Sequence, residues 1–261
     1  LCTNATWRNW THASSRDDCA PCPEGYECIP GDPVPLACPR GYYAPLGMDP
    51  IACPMSTYNP DLARFRPEHC KDCEAGTFCA QEGTAYSSQW PCPEGHWCQE
   101  KCDAPVACAG GKYNPLISQT NETACRDCPE DFWCPEASPS PLSCADATGE
   151  YGYYCPPMSA NRTICPHSMY CPPGDLADGG LPRPCPEGYY CPQGSKAPVL
   201  CPEGAYCPAE SGIYNWCPLG YQNGVGSNNT RTSVTDSCAV CPAGTHGAHE
   251  TRAYCPACTA G

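Results

Sequence analysis

Apolar aliphatic side chains are scarce in this sequence, with 10 Leu, 5 Ile and 6 Val, joined by 3 Phe, in 261 residues. So little apolar surface cannot offset the entropy of ordering the chain, which excludes a conventional hydrophobic core. No run approaches the roughly 18 apolar residues that a membrane-spanning helix needs, so no membrane span is expected in this segment. Basic charge is short as well: 14 Lys and Arg against 28 Asp and Glu leave a formal charge of −14. Nucleic acid and anionic membrane both demand a basic face, so neither is expected as a partner. Also missing are a nucleophile with its base, a paired carboxylate scaffold and a phosphate-cradling glycine loop. No enzymatic activity and no catalytic residue is therefore expected.

What abounds is cysteine, with 29 residues, and proline, with 34. Up to fourteen bridges, each worth about 2–4 kcal/mol through restriction of the unfolded chain, would let short local units stand with almost no core. Such density belongs to an oxidising compartment. The sequence begins at Leu1 with neither Met nor an apolar leader, and so reads as a mature or excised piece.

The gaps between cysteines reveal a repeat. Cys2 to Cys19, Cys53 to Cys70 and Cys108 to Cys125 are each C-x16-C, and Cys217 to Cys238 is the same loop lengthened to x20. A C-x2-C follows each. Starts at 2, 53 and 108 give periods of 51 and 55 residues, and the next start, 217, lies two periods further on, so one repeat is disguised. These boundaries define cysteine-rich repeats at 1–52, 53–107 and 108–154, a run of short motifs at 155–216 and a truncated fourth repeat at 217–261. Because they recur as units, the long loops are expected to close on themselves as Cys2–Cys19, Cys53–Cys70, Cys108–Cys125 and Cys217–Cys238. For the remaining cysteines the reading leans toward neighbours across the x9–x13 gaps. The total is odd, so at least one cysteine lacks a partner within these residues, and Cys255 or Cys258 is expected to bridge beyond residue 261.

The short motif is Cys-Pro-x-Gly-x-aromatic-Cys, as in Cys185 to Cys191 (CPEGYYC), Cys201 to Cys207 (CPEGAYC) and Cys92 to Cys98 (CPEGHWC). Pro one residue after Cys and Gly three after it fit a type I turn with Pro second and Gly fourth. An aromatic five residues after Cys recurs as Phe78, Trp97, Trp133, Tyr170, Tyr190 and Tyr206, and also at Tyr43, Tyr58 and Tyr113 where the second Cys is absent. With aliphatics so few, these rings are the available apolar filler over the disulfides. The fold class expected is small disulfide-rich tandem repeats, irregular with short β-hairpins and little or no helix, arranged as an elongated rod in which units touch mainly their sequence neighbours.

Five Asn-x-Ser/Thr sequons, at Asn4, Asn9, Asn121, Asn161 and Asn228, exceed the roughly one that chance would place and point to a secretory route with N-glycans. Ser138-Pro139-Ser140-Pro141 carries the composition of an O-glycosylated segment. The C-x2-C pairs have zinc-knuckle spacing, but the cysteines between them have no role in a four-ligand site, and the six His are scattered. No metal and no cofactor beyond covalent glycans is expected. Aromatics outside the motif, Trp7, Trp10, Trp90 and Trp216, are the candidate interface residues, rigid and large as interface centres are.

These motifs resemble the ephrin-receptor-like and growth-factor-receptor-like cysteine-rich repeats of large extracellular proteins of protists and algae. The resemblance covers Cys2 to Cys258, with Cys102 to Cys108 (CDAPVAC) departing from the pattern. Among such proteins the chain looks most like the mastigoneme glycoproteins of algal flagella. The resemblance implies a structural subunit of an extracellular filament or coat, secreted or at the flagellar or cell surface, with self-association or related repeat proteins as partners. A ligand-binding receptor or surface-antigen ectodomain is the alternative.

Overall fold

The structure, a computed structural model, describes residues 2, 6–8, 19–30, 32–145, 149, 152–172, 181–224, 231–246 and 254–258. Asn4, Asn9, Asn228 and Trp10 lie outside them. The chain forms two compact units, residues 1–126 with 136–140, and residues 127–135 with 141–261.

One local design recurs in both units. A cysteine opens a module, a four-residue turn follows, two residues run out as a strand, and two return just before the next opening cysteine. In the Cys22 module, Tyr26–Glu27 pairs antiparallel with Leu36–Ala37, Tyr26 opposite Ala37 and Glu27 opposite Leu36. Twelve such two-stranded sheets form among the described residues. Bridges at Thr77↔Pro91 and Thr245↔Ala257 complete the same hairpin in the Cys73 and Cys241 modules. Among the described residues helix is confined to four, Val234–Ser237, and a few short 3-10 turns such as Pro67–His69. The chain is thus built of small disulfide-rich tandem repeats. The period of 51–55 residues resolves into three modules, and the disguised repeat opens at Cys165, where a short bridge replaces the long loop.

The turn differs from the type I expectation. The Tyr26 amide donates to the Pro23 carbonyl at 3.2 Å, so Pro stands first rather than second, and Gly25 stands third with φ +80°. A positive φ at the third position is the mark of a type II turn, and it is the reason glycine recurs there. The strands then alternate. Several first residues face outward, as Phe132, Met169 and Tyr189 do, although Thr57 and Ala205 are buried, while all nine motif aromatics at the second position are buried or half-buried.

Within each unit up to four backbone bonds join one module to the next. Between the Cys22 and Cys38 modules, the Gly25 amide donates to the Ala44 carbonyl at 2.8 Å and the Cys38 amide to the Gly25 carbonyl at 2.8 Å. The Gly47 amide returns to the Cys22 carbonyl at 2.9 Å, and the Ala44 amide, which opens the following step, donates to Arg64 at 2.8 Å. The Cys185 and Cys201 modules repeat the quartet through Gly188 to Cys207, Cys201 to Gly188, Glu210 to Cys185 and Cys191 to Ser211. The residues that return to the opening cysteine have positive φ: Gly47, Gly83 and Gly194 at three modules, but also Ala63, Lys101, Ser118, Ala137, Met158 and Glu210, which are not glycine. Contacts also skip one module: a Cβ at Gly25 would collide with the Ala63 carbonyl, and one at Gly41 with that of Gly83. These modules therefore meet the next two along the chain, not their immediate neighbours alone.

Thirteen disulfides staple this ladder. The long loops close as Cys2–Cys19, Cys53–Cys70, Cys108–Cys125 and Cys217–Cys238, with Cα separations of 5.8, 5.6, 5.6 and 5.7 Å. The expectation for the other cysteines is corrected. Most pair across the x5 gap, as Cys22–Cys28 and Cys185–Cys191 do at 5.8 and 5.9 Å, because the turn itself returns the sixth residue to bridging distance. Only Cys144–Cys155 and Cys241–Cys255 span longer gaps of this set, and the latter gives Cys255 a partner inside the chain. Three thiols stay free: Cys38, Cys102 and Cys258.

Where the sixth residue is not cysteine, something else holds it. Asn59 and Asn114 are fully buried, and their amides donate to the preceding module at Tyr42 and His96, both at 2.8 Å. Their side-chain oxygens accept from Asp61 and Leu116 at 3.1 and 3.0 Å. In the Cys38 module the sixth residue is Ala44, so Cys38 has no partner.

Two substitutions test this ladder. Gly41→Ala forces a Cβ into left-handed backbone and into the Gly83 carbonyl, and it should destabilise the native state by about 1–3 kcal/mol, read as a lowered thermal midpoint. Ala44→Cys places a sixth-residue thiol on backbone already in the bridged arrangement. Peptide mapping should find Cys38 joined to the introduced thiol, with a gain of about 2 kcal/mol from closing so short a loop.

Candidate interaction surface

The structure separates the four tryptophans. Trp7 is half-buried in the first hairpin, opposite Ala20. Trp90 is half-buried with its ring centroid 6.0 Å from that of Phe78, which itself packs on Cys92, Cys98 and Cys102. It is filler over a disulfide. Trp216 is 38% exposed and stands across the strand from Ala205. Its ring meets Tyr214 edge-on at 5.1 Å, and Tyr214 meets Tyr190 in the same way at 5.1 Å. Tyr190 and Tyr214 pack on Cys201, Ala205 and Cys207. Three rings therefore lead from a buried disulfide to the surface, each orienting the next.

Sequence reasoning overlooked the aliphatics around Trp216. Tyr189, Val199, Leu200, Ile213 and Leu219 are all exposed within the same two or three hairpins. Tyr189 pairs across the strand with Leu200 and Tyr190 with Val199. The outward strand position was the signal available, since it differs from the motif aromatic by one residue. The stretch 189–219 thus surrounds an exposed Trp with exposed apolar groups, the composition of an interface centre.

The two sequons that the structure describes are accessible. Asn121 and Asn161 are exposed. Asn121 caps the short turn Glu122–Ala124, its side-chain oxygen accepting from the Thr123 amide at 3.1 Å. Ser138, by contrast, is 2% exposed and its hydroxyl donates to the Ser140 carbonyl at 2.9 Å, which removes it as a sugar acceptor.

Two free thiols are sealed in the interior. Burial, and secondarily the charge of Glu27, pushes the Cys38 thiol up to about 11 from 9.0. Burial raises Cys102 as well, and its thiol donates to the Ala104 carbonyl at 2.8 Å. Because folding raises the Cys38 value, the native state keeps this group's full contribution below about pH 9 and loses it as pH climbs toward 11. Cys258 is exposed.

Among the described residues no cluster of His, Cys, Asp and Glu is arranged to hold a metal, and no helix is long and apolar enough to cross a membrane. Thirteen bridges place the chain in an extracellular or secreted setting. No protein-family model matches the chain, and no curated protein is significantly similar to it.

Thiol chemistry provides the check. Maleimide at pH 8 should label one cysteine, Cys258, in the native protein and three after denaturation without reductant, counted by mass spectrometry, since buried thiols of raised pKa are inert.

Proposed function

We propose that the chain is a non-enzymatic structural subunit of an extracellular glycoprotein filament or coat, of the mastigoneme kind. The observation that carries this reading is the module-to-module backbone ladder, whose bonds recur along each of the two units. Repeat architectures of this sort hold their form through neighbouring units rather than through a shared core. The exposed surface around Trp216 supplies an adhesive face, with self-association or related repeat proteins as partners. N-glycans at Asn121 and Asn161 would keep other faces free of lateral contact. The same repeats could present a ligand in a receptor or surface-antigen ectodomain, but no separate observation favours that alternative.

Imaging of the purified native protein tests the proposal. Ordered fibres with sugar density at Asn121 and Asn161 are the expected outcome. Trp216→Ala should raise the concentration needed for assembly about tenfold, as loss of an aromatic at an interface centre does. A dispersed monomer that binds a defined soluble ligand would hand the case to the receptor reading.

A further inference from the structure

We propose that a groove between the Cys22 and Cys38 modules binds a Lys or Arg side chain presented by an extended segment of a partner polypeptide. The groove lies in the first unit and shares no residue with the Trp216 surface, so it stands whether or not the chain assembles into fibres.

The groove has a volume of about 700 Å³, and Glu27, Ile29, Pro39, Tyr42, Asp49 and Pro50 form most of its wall. That size is in the range of ligand-binding clefts. Its only charged groups are two carboxylates. Neither has an ion-pair partner among the described residues, whereas Asp61 is paired with Arg64, Asp72 with Lys101 and Glu203 with Arg231. The one cation between residues 19 and 60 is Arg40. Its Nε donates to the Pro60 carbonyl at 2.9 Å and its guanidinium lies 5.7 Å from the centre of the Tyr86 ring. It is committed elsewhere and pairs with neither carboxylate. The Cys38 thiol registers the same field, since the charge of Glu27 helps to raise its pKa.

Between the carboxylates the wall is apolar: the half-buried Tyr42 ring, the two prolines and the exposed Ile29. A long basic side chain matches both surfaces. Its methylene stem lies along apolar surface, and its charged head reaches the carboxylates and the ring. An acidic or purely aliphatic occupant would strip water from Glu27 and Asp49 without replacing it. An extended segment suits an open groove walled by proline. The location has one more property: the Cys38 module is the one with Ala44 where a bridging cysteine would stand, so this wall lacks the staple that braces its neighbours.

The test uses the full glycosylated chain and a fluorescein-labelled peptide carrying two arginines, read by fluorescence anisotropy at low salt. Because any peptide of that charge is drawn to a protein of −14, the comparison is between two variants of equal charge. Glu27→Gln with Asp49→Asn should weaken binding about tenfold, the loss of a charge-assisted contact. Glu94→Gln with Glu136→Gln, which removes two exposed carboxylates elsewhere, should change it less than about twofold, the residue of general attraction. On the unaltered protein, a peptide with citrulline in place of arginine should bind as weakly as the groove variant binds the arginine peptide. Equal losses in both variants, no loss in the groove variant, or undiminished binding of the citrulline peptide would overturn the proposal.

Discussion

Left-handed backbone at two recurring positions of the module is the constraint on which the described structure depends. The first position sits third in the turn and the second in the segment after the strand, where its amide meets the opening cysteine of the module before. Only that conformation aims the amide and carbonyl of each site at the neighbouring module. The chain accepts it at Ser56, Lys101, Asp131 and Met158 as well as at glycine, at a cost of about 1–2 kcal/mol per residue. Its return is that backbone polar groups satisfy one another between modules. A chain poor in Leu and Val can therefore remain ordered, its interior consisting of disulfides, half-buried rings and two buried asparagines.

Much of this design was legible in the cysteine spacing, for a physical reason. Long loops of constant length between cysteines, as at Cys53 to Cys70 and Cys108 to Cys125, recur only when the two ends meet. The x5 pairs were misread because the gap alone does not say whether the intervening turn brings its ends together. A glycine three residues after cysteine suits the fourth place of a type I turn or the third of a type II turn, and the sign of φ decides between them. The three-module period was likewise hidden. It becomes visible once Asn59 and Asn114 are recognised as occupying the place of the second cysteine, each bonded to the preceding module instead of to a sulfur partner.

The surface was less legible than the scaffold. Trp90 and Trp216 both lie outside the motif, and nothing in their local sequence separates them. What separates them is the ring next to each: Phe78 draws Trp90 down onto a disulfide cluster, while Tyr214 props Trp216 outward on a ring already anchored by Tyr190. The groove beside Glu27 was invisible for a similar reason. Glu27 and Asp49 are 22 residues apart in sequence, and they meet only because consecutive hairpins stack.

The order of the bridges along the chain carries a mechanical consequence. None of the thirteen encloses or interleaves with another, so the covalent structure is a string of separate closed loops that together hold more than half of the residues. Under a pulling force the backbone bonds between modules can break singly, module by module, and re-form when the load falls. The sulfur bonds meanwhile limit each extension to the residues outside the loops. Such a chain would yield in short, recoverable increments and could not be drawn out to its full contour length without chemical reduction.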